Sequence, residues 1–328
     1  MILINGGMGF IGMNAARRFL DAGESVVLTY YNTNRESPLL ADEIGKRVIP
    51  VRLDVANTHD YYDTVRRFGV TGILYLAAPP VRGGPTAPGE MNMQLNGLMN
   101  VLGASQLPGV RRTLIASSST LYSGLPEGPY REDMLLPVES RSATEAFKKA
   151  TEVVALHYAA RAGAGIGLFR MRSVYGPLYY SMNNPFSRMC HAAARGVPAD
   201  FGGGPGPIHG GGAGHHPAPY EDDEAEICYV KDLVEGIFLM WQAEKLPNRV
   251  YNIGPGRAFK YGDMADAVRK VVPGASIGLT PGKNPAGTPK NAFLDNSRIR
   301  HDLGYDPRFA DIDAAAVDYI GWLKDHVN

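Results

Sequence analysis

Three glycines in the run Asn5-Gly6-Gly7-Met8-Gly9-Phe10-Ile11-Gly12 stand at the spacing GxxGxxG, directly after the apolar start Met1-Ile2-Leu3-Ile4. Small residues at that spacing permit a tight turn and a close backbone approach to a pyrophosphate. A helix beginning near Phe10 would aim its first turn, with Phe10 and Ile11, at the phosphates, where free N–H groups and the helix dipole favour negative charge. Gly-rich turns also join strands to helices for steric reasons alone; the place of this one, at the first strand–helix junction, points to dinucleotide binding. Two further positions fit: Asp54, set for the adenine edge, and Leu76-Ala77-Ala78, where the cofactor backbone would pass. The second strand ends in Leu28-Thr29-Tyr30-Tyr31-Asn32-Thr33-Asn34-Arg35, with no carboxylate for the ribose hydroxyls. Arg35 is instead able to pair with a 2′-phosphate, which favours NADP slightly over NAD.

A second group of chemistry-bearing residues is His209, His215 and His216, followed by the carboxylates Asp222, Asp223, Glu224 and Glu226. Imidazole and carboxylate are common metal ligands. The intervening Gly/Pro-rich stretch, however, lacks the helix or strand spacing that holds ligands rigidly, and ordering it costs entropy. No metal is expected, and 201–224 reads as a flexible loop acting as a lid over a substrate cleft.

The elements that must position these residues alternate through the first half. Short apolar runs at 2–4, 25–30, 47–53, 72–77, 112–117 and 165–170 read as strands, and 10–22, 61–68, 90–105 and 143–162 carry helical periodicity. That order predicts the α/β class: a doubly wound parallel sheet of Rossmann type, with a smaller C-terminal substrate-binding lobe. The dinucleotide-binding domain is expected over 1–177, with about 227–255 returning to it, and the substrate lobe mainly over 178–328. A last helix is expected near 313–326.

Composition narrows the partners. The 328 residues carry 33 basic and 33 acidic side chains, so no net field steers the chain toward nucleic acid or anionic lipid. A small-molecule substrate is the expected partner. The two cysteines, Cys190 and Cys228, form no CxxC pair, and no basic leader or long apolar segment precedes the first strand. Both features point to the cytoplasm and away from a membrane.

The chain resembles an extended short-chain dehydrogenase/reductase, the group of NAD(P)-dependent epimerases and dehydratases acting on nucleotide sugars, over nearly its whole length. Beyond the glycine turn the resemblance rests on Ser117-Ser118-Ser119-Thr120-Leu121-Tyr122, Arg170-Met171-Arg172-Ser173-Val174-Tyr175-Gly176-Pro177, Tyr229-Val230-Lys231-Asp232, and Asp295-Asn296-Ser297-Arg298 leading to Leu303-Gly304-Tyr305. It implies a Tyr-x-x-x-Lys pair in which the lysine lowers the tyrosine pKa and the tyrosine exchanges a proton as hydride moves. Aligning Glu152 with the family's glutamate makes Lys148 that lysine, and four residues earlier stands Thr144. A threonine hydroxyl is far less acidic than a phenol with its pKa of about 10, and it is shorter.

Three explanations follow: another group, such as Tyr122, Tyr175, Tyr179 or Tyr180, supplies the proton; the bound cofactor serves a different reaction; or the chain binds nucleotide without turnover. The resemblance further implies that Ser118 polarises a substrate oxygen, with Ser119, Thr120, Gln94, Tyr175, Tyr179 and Tyr180 toward substrate, and that Lys148 bonds the nicotinamide ribose. It also implies a homodimer through helices 90–105 and 143–162. Where nucleotide-sugar enzymes of this group present a phosphate-holding arginine, this chain has Glu224-Ala225-Glu226. The expectation is therefore a smaller carbonyl or hydroxy substrate, with a nucleotide sugar or a catalytically silent sensor as alternatives.

Overall fold

In the computed structural model, which describes residues 1–77, 87–202, 218–287 and 290–326, the apolar runs of the first half become the strands of one sheet. Its strands are β1 (Ile2–Asn5), β2 (Val26–Tyr30), β3 (Val48–Arg52), β4 (Gly72–Tyr75), β5 (Arg112–Ala116), β6 (Ile166–Arg170) and, from later in the chain, β10 (Val250–Asn252). Every pairing in it is parallel, in the order β10-β6-β5-β4-β1-β2-β3. The central strands β1, β4, β5 and β6 are buried at every position, as parallel strands covered on both faces must be.

The helices are α1 (Phe10–Asp21), α2 (Thr58–Arg67), α3 (Ala87–Ala104), α4 (Ala143–Ala162), α5 (Pro185–Arg195), α6 (Val230–Gln242), α7 (Tyr261–Val271), α8 (Ser297–Leu303) and α9 (Ile312–His326). Capping explains several boundaries. Asn57 accepts from the Asp60 N–H and so starts α2 three residues before the expected position. Ser142 accepts from the Glu145 N–H while the Glu145 carboxylate reaches back to the Arg141 N–H, and α4 stops at Gly163 with φ +62°. Asn184, followed by Pro185, opens α5.

One face of the sheet is covered by α1 and α6, whose Trp241 lies against the Cβ-less Gly72. The other face is covered by α2, α3 and α4. A separate apolar cluster joins α5, α7 and α9 with Tyr175 and Tyr229, and forms the core of the smaller lobe. The short strands β7 (Val174–Tyr175) and β9 (Cys228–Tyr229) pair with each other, and β8 (Glu224–Ala225) pairs with β11 (Phe259–Lys260). No helix among the described residues is long and apolar enough to cross a membrane.

The histidines His209, His215 and His216 lie outside the described residues, as does Ala78. The ends of the 201–224 stretch depart from the expected exposed loop. Phe201 is buried against the smaller-lobe core, and Tyr220 bridges Thr280.

Candidate active site

The sheet changes winding direction at β1, which has β2 on one side and β4 on the other. Loops leaving the C-terminal ends of β1 and β4 diverge there and leave a crevice. Gly6 turns the chain with φ +71°, and a Cβ on it would come within 3.3 Å of the Ala77 backbone in the β4 loop. Its N–H is fixed by Thr29 Oγ1 at 3.2 Å. Gly7 and Gly12 have no space for a side chain: a Cβ would sit 2.7 Å from the Ile4 carbonyl at Gly7, and 2.6 Å from the Gly6 and Gly7 carbonyls at Gly12. The helix α1 begins at Gly9 with no side-chain cap and no acidic residue in its first turn. The first-turn N–H groups are therefore left for an anion. A dinucleotide pyrophosphate fits this cradle.

Farther along the sheet, the end of β5 carries Ser117, Ser118, Ser119 and Thr120. Ser118 caps the short helical turn Ser119–Tyr122 by accepting from the Thr120 N–H at 3.2 Å, which leaves its own proton to donate elsewhere. Ser118, Ser119 and Thr120 line a cleft of about 620 Å³ whose other walls include Leu125, Arg141 and Arg172. Beneath its floor lies a buried polar network. Glu152 on α4 pairs with Arg170 at the end of β6 through bonds of 2.6 and 2.9 Å, and it also accepts from the Ser117 hydroxyl. Arg170 in turn bonds the Tyr122 hydroxyl, which is shared with Asn252 Oδ1 and the Arg131 carbonyl.

One helical turn before Glu152, Lys148 donates to the Ala116 carbonyl at 2.7 Å. Burial pulls its pKa down to about 8, against the attraction of Glu152, which raises it. Thr144, in the first turn of α4, is exposed.

The NAD dependent epimerase/dehydratase family matches this chain over residues 2–254. The chain belongs to that family. Members of the epimerase/dehydratase family are enzymes that work with a nicotinamide dinucleotide, which is the group the glycine cradle fits. UDP-glucuronic acid decarboxylase 1 of Arabidopsis thaliana is 26% identical over 318 residues, 94% of this chain and 66% of its own length. The chain thus spans about two-thirds of that relative. Among solved structures, the UDP-glucose 4-epimerase of Thermotoga maritima with UDP-glucose superposes with a TM-score of 0.77 at 16% identity, covering 100% of this chain and 99% of that one. The dTDP-glucose 4,6-dehydratase of Bacillus anthracis with NAD gives a TM-score of 0.76 at 16% identity, covering 99% of this chain and 97% of that one.

Within the epimerase/dehydratase fold, the expected site residues separate into those that meet and those that do not. Gly6, Gly9, Phe10, Ile11, Gly12, Leu76 and Ala77 gather at the crevice, and Tyr179 packs edge-on against Phe10 with ring centroids 5.3 Å apart. Asp54 is exposed just past β3, where its carboxylate accepts from the Ala56 N–H at 2.9 Å. Arg35 is exposed in the loop after β2, Gln94 is half-buried on α3, and Tyr180 is exposed.

Tyr175 does not face substrate: it is fully buried between Phe186, Tyr229 and Tyr319, where burial drives its hydroxyl well above the ordinary phenol range. An aromatic beside a functional motif has the same sequence signature whether it packs a core or lines a cleft. Tyr122 borders the cleft, but its hydroxyl is held in the Arg170 network and burial raises its pKa, so it is a poor free proton donor.

The acidic run also differs from expectation. Asp222 pairs with Lys260 at 3.1 Å, Glu221 accepts from the Gly282 N–H, and Asp223 accepts from the Asn284 N–H. Glu226 is buried, accepts from the Leu294 N–H at 2.9 Å, and is pushed up to about 8 by desolvation. These carboxylates are occupied in holding loops together, so their number in the sequence is no argument against a diphosphate. Gly7, Thr29, Arg141 and Arg172 were not singled out from sequence. For Gly7 the signal was its place beside Gly6 in the turn; for the others the decisive neighbours are distant in the chain.

Proposed function

We propose that this chain oxidises and re-reduces, or rearranges, a sugar carbon of a nucleotide sugar, with NAD or NADP held at the glycine turn. The observation that carries this reading is the unblocked start of α1 at the sheet's winding switch, on the same C-terminal edge as the cleft lined by Ser118–Thr120. The names of the relatives, a decarboxylase, an epimerase and a dehydratase of UDP- or dTDP-sugars, support the substrate class. The dinucleotide supplies the hydride acceptor when bound.

The chain's own residues supply the rest. Ser118, with its lone pair engaged by Thr120, turns its O–H to the substrate oxygen and polarises it. Lys148 uses one of its three N–H groups on Ala116 and keeps two for the nicotinamide ribose. Its pKa of about 8 matches proton transfer near neutrality, a task Thr144 cannot perform. The two-helix face of α3 and α4, with Met99 and Val153 exposed at 51% and 70%, is assigned to a second copy of the chain. A sedimentation measurement giving a monomer at micromolar concentration would remove that assignment.

The alternative, a nucleotide-binding protein without turnover, draws on one observation, the exposed threonine in the tyrosine slot. Purified protein mixed with NAD or NADP and UDP-glucose, UDP-glucuronate or dTDP-glucose separates the two. The proposed function predicts product, or transient absorbance of reduced dinucleotide, and a gain of about ten-fold or more in Thr144→Tyr. Tight dinucleotide binding with no hydride transfer in either protein supports the silent reading.

A further inference from the structure

The cleft beside Ser118 is unlike the rest of the molecule in charge. The chain as a whole is neutral, with 33 basic and 33 acidic side chains. The residues lining this cleft include two arginines, Arg141 and Arg172, and no carboxylate. Arg141 sits on the approach to α4 with its guanidinium over Gly124, and Arg172 lines the same cleft from the segment between β6 and β7. Among the described residues neither guanidinium has a hydrogen bond or an ion pair, whereas Arg170, two positions before Arg172, is saturated by Glu152 and Tyr122.

Glu226, a carboxylate within electrostatic reach of Arg172, is buried and uses one oxygen on the Leu294 N–H. Desolvation pushes that carboxyl up to about 8, which weakens the compensation it offers the charge of Arg172 near neutral pH. Arg172 is half-buried, where a guanidinium without a partner is costly, whereas Arg141 is exposed; the planar fork of each matches a carboxylate.

We propose that Arg141 and Arg172 hold an anionic group on the reacting unit of the substrate, a carboxylate, at the end of the cleft lined by Ser118 and Thr120. This deepens the proposed function, on which it rests for the location of the reacting unit, and makes the two arginines specificity residues. A phosphate presents related chemistry to the same fork, so the test separates the two sources.

Calorimetric titration of the NAD-loaded protein with UDP-glucuronate, UDP-glucose, glucuronate and inorganic phosphate reads the proposal without requiring turnover. Binding of UDP-glucuronate at least ten-fold tighter than UDP-glucose is expected, with Arg172→Met and Arg141→Met each removing most of that preference and Arg172→Lys restoring part of it. Affinity for UDP-glucose and NAD is expected to stay within about two-fold in all three variants. Equal affinity for the two nucleotide sugars, or a preference that survives both methionine substitutions, overturns the proposal. So does phosphate displacing UDP-glucose in an arginine-dependent way, which would assign the arginines to the diphosphate, or failure of both UDP-glucuronate and glucuronate to bind. If glucuronate alone binds through the two arginines while both nucleotide sugars fail, the carboxylate site stands and the nucleotide-sugar reading falls.

Discussion

The two ends of the candidate active site are built in different ways. At the dinucleotide end the work is done by backbone: Gly6, Gly7 and Gly12 bring strand, turn and helix so close that side chains are excluded, and the α1 N–H groups face the crevice. At the substrate end it is done by side chains fixed from afar: Ser117 and Arg170 by Glu152, Tyr122 by Asn252, and Lys148 by the Ala116 carbonyl. A backbone site tolerates change in every residue except the glycines that make room for it. A side-chain site can alter its chemistry through one substitution. The contrast fits a chain with a clear dinucleotide cradle in which Thr144 stands at the position we propose for proton transfer.

The contrast breaks most readily at Gly12. Gly12→Val would place a side chain 2.6 Å from two carbonyls, which only backbone movement relieves. The variant is expected to lose at least about 3 kcal/mol or to accumulate unfolded, read by a urea melt monitored by circular dichroism. A melt unchanged within error would show that the turn is not as tight as described.

Next in size is Arg170→Met, which strands the Glu152 carboxylate among buried groups. Removing one partner of a buried ion pair costs about 3–5 kcal/mol. The double variant Arg170→Met/Glu152→Leu should recover much of that loss. Equal loss in the single and double variants would mean that packing, rather than the unpaired charge, sets the cost.

A smaller and pH-dependent effect belongs to Glu226. Its folded pKa of about 8 lies above the ordinary carboxylate value of 4.5. Between those two values the folded state holds more protons than the unfolded state. The stability associated with protonated Glu226 is thus fully present below about pH 4.5 and lost as pH rises through 8. Glu226→Gln is expected to flatten that fall and to be the more stable protein at pH 8, by a few kcal/mol at most. Parallel stability–pH curves for the two proteins would contradict the burial argument.

The first half of the fold was open to sequence reading because buried parallel strands are short apolar runs bracketed by turn residues. The six expected runs match β1 to β6 within two residues at either end. The start of α2 was misplaced although the cap pair Asn57 and Asp60 was there to be read. In the smaller lobe α5 and α7 were not anticipated, although both are amphipathic and bury one face in the same cluster.

The candidate site divides likewise. The glycine turn is written locally, because sterics demand glycine where the backbone closes. Whether Tyr175 lines a cleft or a core, or whether Asp222 and Glu226 repel a phosphate, depends on Tyr319, Lys260 and Leu294, residues 38 or more positions away that no local pattern names.

The central claim is that the backbone cradle at Gly6–Gly12 holds a nicotinamide dinucleotide. Its most direct measurement is calorimetric titration of NAD and NADP into the natural protein and into Gly9→Asp, with circular dichroism as the control for folding. The account predicts saturable one-to-one binding to the natural protein, a modest preference for NADP that disappears in Arg35→Ala, and a loss of at least about 100-fold when a carboxylate is placed at the start of α1 in a folded protein. Undiminished dinucleotide binding by folded Gly9→Asp would contradict it.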